Sequence, residues 1–149
     1  MEQNQLPNKI RKVASDLDKA IENKDVESIL SSFSDDCQIE LLGIKLTRKD
    51  GVRRWIDWMY KHLAEVRFLP VTIMVDGNTF FEEFILKGKL HNGIEVQSKQ
   101  AEVLTYENYE VKSLRLYFDR LDFADSVVKG SMSKTFVRRL MRKSLKGLV

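Results

Sequence analysis

The run Asn23-Lys24-Asp25-Val26-Glu27-Ser28-Ile29-Leu30-Ser31-Ser32-Phe33-Ser34-Asp35-Asp36-Cys37-Gln38-Ile39-Glu40-Leu41 passes from a helical to an extended pattern in one short stretch. Asp25 is placed to cap a short helix, because its carboxylate can accept a backbone N–H in the first turn. Val26, Ile29, Leu30 and Phe33 follow at helical spacing. Ser34-Asp35-Asp36 breaks the pattern, and Cys37 to Leu46, rich in Ile and Leu, reads as a first strand.

Upstream, Ile10, Val13, Ala14, Leu17, Ala20 and Ile21 recur at helical spacing with Pro7 in the first turn, predicting an amphipathic helix that ends near Asn23. Downstream, Thr47 and Asp50 resemble a capping box. The helix they would open carries Val52, Trp55, Ile56, Met59, Leu63 and Val66. After Pro70 the period becomes that of a sheet. Val71 to Val75 is a β-branched run, and Phe80, Phe84, Leu86 and Leu90 share one face of a second strand. Asn92-Gly93 is a hairpin signal. A strand from Glu95 to about Tyr106, a turn at Glu107-Asn108-Tyr109 and a last strand from Val111 to Phe118 complete a meander. Early helices and late strands indicate an α+β fold.

The 149 residues suit one domain, with 43% apolar residues for a core. No apolar run is long enough to span a bilayer. The start Met1-Glu2-Gln3-Asn4-Gln5 lacks the cationic and apolar pattern of a secretory signal, so a soluble, cytoplasmic protein is expected. One cysteine, Cys37, excludes an internal disulfide, and with only His62 and His91 neither a histidine-rich metal site nor any metal or cofactor is expected. The net charge of +3 is unevenly spread. Residues 129 to 149 hold seven Lys and Arg and no acid, whereas the other 128 hold 18 Lys and Arg against 22 Asp and Glu, a balance of −4. A nucleic-acid-binding domain spreads its positive charge over a face of the fold, so nucleic acid is not the favoured partner.

The Asn23–Leu41 run resembles the opening of the nuclear transport factor 2-like superfamily. Ala101-Glu102-Val103-Leu104-Thr105-Tyr106, followed by Val111-Lys112-Ser113-Leu114-Arg115-Leu116-Tyr117-Phe118-Asp119, is similar to the last two strands of its SnoaL-like branch. The likeness spans about Leu6 to Asp122. It implies a cone-shaped α+β barrel, a curved antiparallel sheet on three N-terminal helices, often dimeric through the outer sheet face. On this reading residues 1–125 form the SnoaL-like domain and residues 126–149 a basic C-terminal helix. The superfamily includes polyketide cyclases, ketosteroid isomerases and limonene epoxide hydrolases. Its isomerase base would fall on Leu41 and the tyrosine donor of its first helix on or near Leu17, so both groups are absent. Where the epoxide hydrolases carry Trp-Arg-Asp on the last strand, this chain has Leu114-Arg115-Leu116. The isomerases' third group, a carboxylic acid on the penultimate strand, falls on Glu102.

Glu102 also shares strand parity with Val96, Leu104 and Tyr106, which places it on the apolar face. A carboxyl group there is desolvated and suited to proton transfer near neutral pH; pairing with a neighbouring Lys or Arg is the competing reading. Glu82 shares parity with Phe80 and Phe84. A two-residue Asn92-Gly93 turn would set Glu83 opposite Glu102 and one extra residue would bring in Glu82, and both registers stay open. His62, one turn from Trp58 and Met59, is a second acid/base candidate or a packing residue at the rim. Leu114, Leu116 and Phe118 would face the cone with Leu41, Phe84 and Leu104, and the helix supplies Trp55 and Met59. A small hydrophobic ligand suits that surface.

From Phe136 the apolar residues Phe136, Val137, Leu140, Met141, Leu145 and Leu148 occupy one half of a helical circle and Arg138, Arg139, Arg142, Lys143 and Lys146 the other. The apolar half could pack on the body or a dimer partner, lie on a membrane surface through residues 136–148, or contact another partner. Two functions compete. One is a pocket protein with proton-transfer chemistry, such as cyclisation or isomerisation, at Glu102. The other is a non-enzymatic ligand-binding or dimerisation module with the tail contacting a protein or a membrane.

Overall fold

Leu6 is extended and Pro7 opens α1, Pro7–Glu22, which buries Ile10, Ala14, Leu17, Ala20 and Ile21. The computed structural model describes residues 5–148, so the reading of Met1 to Asn4 lies outside the described residues. Asp25 accepts from the Ser28 backbone N–H at 3.1 Å and caps α2, Val26–Ser31, as its sequence position implies.

The next strand is longer at its start than its pattern suggests. β1 runs Phe33–Leu41 and includes Ser34-Asp35-Asp36. It does not continue to Leu46. Leu42 (φ +53°) and Gly43 (φ +76°) turn the chain back into β2, Ile44–Thr47, with Leu41 opposite Ile44. Two consecutive left-handed residues make the hairpin turn whose twist matches the strands. Thr47 precedes α3, Arg48–His62, without a side-chain cap bond, so the expected capping box does not form. Gly51 allows α3 to approach β2 closely, since a Cβ on it would lie 3.0 Å from the backbone and Cβ of Leu46.

Leu63 and Val66, expected on the helix, begin β3, Leu63–Asp76, which follows α3 without a loop. Pro70 sits in this strand beside a register shift between Pro70 and Thr72. That is tolerated because β3 is an edge strand and the bulge removes the need for its missing N–H. β4, Thr79–Leu90, and β5, Glu95–Glu107, alternate buried and exposed residues along most of their length. Asn108 and Tyr109, both left-handed, turn into β6, Glu110–Phe118. The six-stranded sheet has the order β2-β1-β6-β5-β4-β3. It is open rather than a closed barrel, and it is mixed rather than wholly antiparallel, because β1 returns beside β6 in the same direction.

Helices α1 and α3 pack against the inward face of the sheet. The core joins Leu17 and Ile21 to Trp55 and Ile56 and to Phe80, Phe84, Leu104 and Leu114. Three polar contacts hold α1 in place. The Tyr60 hydroxyl donates to Ile21 O at 2.7 Å, Glu22 Oε1 accepts from Phe68 N at 2.8 Å, and Gln5 Nε2 donates to Tyr106 O at 2.8 Å.

Beyond the sheet come a 3₁₀ turn, Arg120–Phe123, and two helices, α4, Ala124–Val127, and α5, Ser131–Ser144. Helix α5 starts five residues before Phe136 and buries no residue. Arg138 grips Asp125 with two hydrogen bonds of 2.9 and 3.1 Å. Val137 and Met141 are half-buried, while Phe136 and Leu140 remain 66% and 50% exposed, so the apolar half is only partly covered by the body. No helix among the described residues is long and apolar enough to cross a membrane.

Candidate functional site

The site begins with the turn between β4 and β5. Leu90 N donates to Ile94 O at 2.8 Å, Gly93 N donates to Leu90 O, and Gly93 is left-handed at φ +87°. His91, Asn92 and Gly93 thus form a three-residue loop, the type in which a turn is followed by a left-handed residue. The extra residue sets the register so that Glu82 faces Glu102, and Glu83 faces Ala101.

Asp18 reaches the same place from α1. One carboxylate oxygen from each of Asp18, Glu82 and Glu102 lies within 4.8 Å of the other two. Glu82 is 2% exposed and Glu102 8%, with Asp18 half-buried. Among the described residues no Lys, Arg or His forms an ion pair with any of them, so the alternative of a Glu102 neutralised by a neighbouring cation is not realised.

Burial without a counter-charge favours the protonated acid, and each ionised neighbour adds to that preference. Asp18 is pushed up to about 9, first by burial and then by Glu102 and Glu82. Glu102 is pushed up to about 8 by burial and by Glu82, and Glu82 to about 7 by burial. The three therefore titrate as a unit, and at neutral pH the cluster keeps most of its protons. The Tyr106 phenol, four residues along β5 from Glu102, is also held above its ordinary value by burial and by the same three carboxyls. Its hydroxyl is buried without a hydrogen-bond partner among the described residues, as is Trp55 Nε1.

Such a cluster can donate a hydrogen bond from a protonated carboxyl while an ionised one accepts a proton. Its three oxygens are also of the type that a hard divalent cation takes.

A groove of about 650 Å³ opens at one end of the sheet. Its apolar surface comes from Met59, Leu63, Leu90, Phe118, Phe123 and Val127, with Trp58 and His62 stacked edge-on at 5.7 Å along one side. Phe118 pairs with Gln100 across β5 and β6, and Leu116 pairs with Glu102. One two-residue strand step of about 7 Å thus leads from the groove lining to the level of the carboxyls.

Of the residues singled out from sequence, Met59, Phe118 and His62 line this groove, and His62 lies at the rim rather than in the carboxyl cluster. Leu41, Leu116 and Phe118 line a second groove of about 340 Å³, which shares Leu42, Phe118 and Arg120 with the first. Trp55, Phe84, Leu104 and Leu114 are core residues. Asp18 is the member that sequence reasoning missed. Its signal was the helical line through Ala14 and Ile21, both buried, on which Asp18 falls four residues after one and three before the other.

A sequence model described as the SnoaL-like domain matches residues 15–113. Against curated protein sequences, nothing matches. Among solved structures, a putative SnoaL-like polyketide cyclase from Jannaschia sp. is similar at a TM-score of 0.75 and 10% identity, over 87% of this chain and 99% of that one. The epoxide hydrolase/cyclase-like enzyme SalBIII of salinomycin pyran ring formation follows at 0.69 and 17%, over 77% and 94%. An LEH-like epoxide hydrolase of M. tuberculosis gives 0.67 and 17%, over 77% and 86%. At these identities the likeness carries the fold.

Proposed function

The chain belongs to the SnoaL-like domain family, and on that premise we propose that it binds a small hydrophobic molecule at the mouth of the sheet and moves protons on it with the Asp18–Glu82–Glu102 cluster. The observation that carries this reading is the convergence of three carboxyl groups, from α1, β4 and β5, with no cation among them. Glu82, the least shifted of the three, is the group to ionise first. As a carboxylate it takes a proton from a carbon next to a carbonyl, while protonated Glu102 donates to the carbonyl oxygen. Return of a proton to a different carbon completes an isomerisation or prepares a ring closure, with no net gain or loss of protons. Asp18 holds the third proton and keeps the cluster from accumulating charge. The cyclase and hydrolase neighbours support chemistry of this class in this fold.

Leu17 and Leu41 favour a second reading, a ligand-binding protein without turnover, because they stand where the family's isomerases carry a donor and a base. Binding and turnover of an enolisable ketone panel by the native protein and by Glu102→Gln separate the two. Turnover that falls by about 10²-fold or more in the variant, with binding retained, supports acid/base catalysis. Binding with no turnover in either protein supports the second reading.

A further inference from the structure

We infer that the groove at the mouth of the sheet selects an amphipathic anion, a molecule with an apolar body and a carboxylate- or phosphate-type head. The inference rests on the small-molecule reading above and adds the charge and orientation of the ligand. At about 650 Å³ the groove is within the range of small-molecule sites. Its surface is mostly apolar, but three cations, Lys61, Arg120 and Lys129, stand along it, and among the described residues no Asp or Glu lines it. None of the three cations has an ion-pair partner among the described residues.

The acids closest to Arg120 in the sequence bond to other groups. Asp119 accepts from Leu121 N at 2.8 Å, Asp122 accepts from Ser98 Oγ at 2.6 Å, and Asp125 is held by Arg138. The cationic side of the groove is therefore left without an ion-pair partner among the described residues. A ligand with its anionic head toward Lys61, Arg120 and Lys129 and its apolar body toward Phe118 satisfies both ends. The reverse orientation would leave the three cations without a counter-charge and set the charged head against the apolar lining of Met59, Phe118 and Phe123. Arg120 and Lys129, together with Phe123, Ser126 and Val127, follow the family-matched residues 15–113, so this wall is built by the chain's own C-terminal segment.

Decanoate, decan-1-ol and decylammonium share an apolar chain and differ in head charge. Their binding to the full-length protein is measured by calorimetry, with backbone amide shifts locating the site. Decanoate is expected to bind about tenfold more tightly than decanol, with decylammonium weakest, and shifts concentrated in residues 118–129. Salt at about 0.5 M narrows the difference. Joint substitution of Lys61→Gln, Arg120→Gln and Lys129→Gln brings decanoate to the decanol value and leaves decanol unchanged. Equal binding of decanol and decanoate, or a decanoate preference that survives the triple substitution, overturns the anion inference while the small-molecule reading stands. Absence of binding by all three probes overturns both.

Discussion

Glu82 and Glu102 face each other across β4 and β5, both within the interior and neither ion-paired with a cation among the described residues. Like charges in that relationship cannot both ionise without cost, and Asp18 brings a third carboxyl to within 4.8 Å. The pair exists because one residue more than a minimal turn separates the strands.

The cluster makes stability fall as pH rises. A carboxyl whose folded pKa lies above its unfolded value binds its proton more tightly in the native state, so its contribution is complete below about pH 4 and is lost as pH climbs through the folded value. With Glu82 at about 7, Glu102 at about 8 and Asp18 at about 9, the loss spreads from mildly acidic pH to about 9. Calorimetric melting at pH 5 and pH 8.5 should show a lower Tm at the higher pH. Glu102→Gln should flatten that dependence, because the remaining two carboxyls repel only each other.

Phe84→Ala should lower stability by about 3–5 kcal/mol, since the ring is 1% exposed and meets Phe68 edge-on at 5.4 Å. Urea denaturation measures it. Gly51→Ala should cost about 1–3 kcal/mol through overpacking against Leu46, in the same assay.

Removal of residues 131–149 should change stability by less than about 1 kcal/mol, because α5 buries no residue and its ion pair, Arg138 with Asp125, is exposed. A large fall in Tm would mean that Val137 and Met141 contribute more packing than their half-buried state implies.

Much of this architecture is legible in short-range pattern. Period-two burial through Phe80–Leu86 and Val96–Tyr106 follows directly from alternation, and the Asp25 cap from its position. What escaped depended on residues acting against type or on distant partners. Leu42 adopts a positive φ that its side chain disfavours, which hid the β1–β2 hairpin. Leu63 and Val66 continue the helical spacing of Met59 and also suit a strand, so pattern alone could not place the α3–β3 boundary. The parallel pairing of β1 with β6 joins residues 75 or more positions apart, for which no local signal exists. In the site, Glu102 is legible by parity, Glu82 depends on one loop residue, and Asp18 is a polar residue on an apolar helix face whose partners lie on distant strands.

The cluster of Asp18, Glu82 and Glu102 keeps most of its protons at neutral pH, with Glu82 the first to ionise. Carbon-detected NMR titration of the side-chain carboxyls of Asp18, Glu82 and Glu102 tests it most directly. Glu102 is expected to titrate near 8, and Glu82→Gln should lower that midpoint by removing its neighbour's charge. Midpoints for all three within the ordinary range of about 3.5–4.5, unmoved by Glu82→Gln, would contradict it.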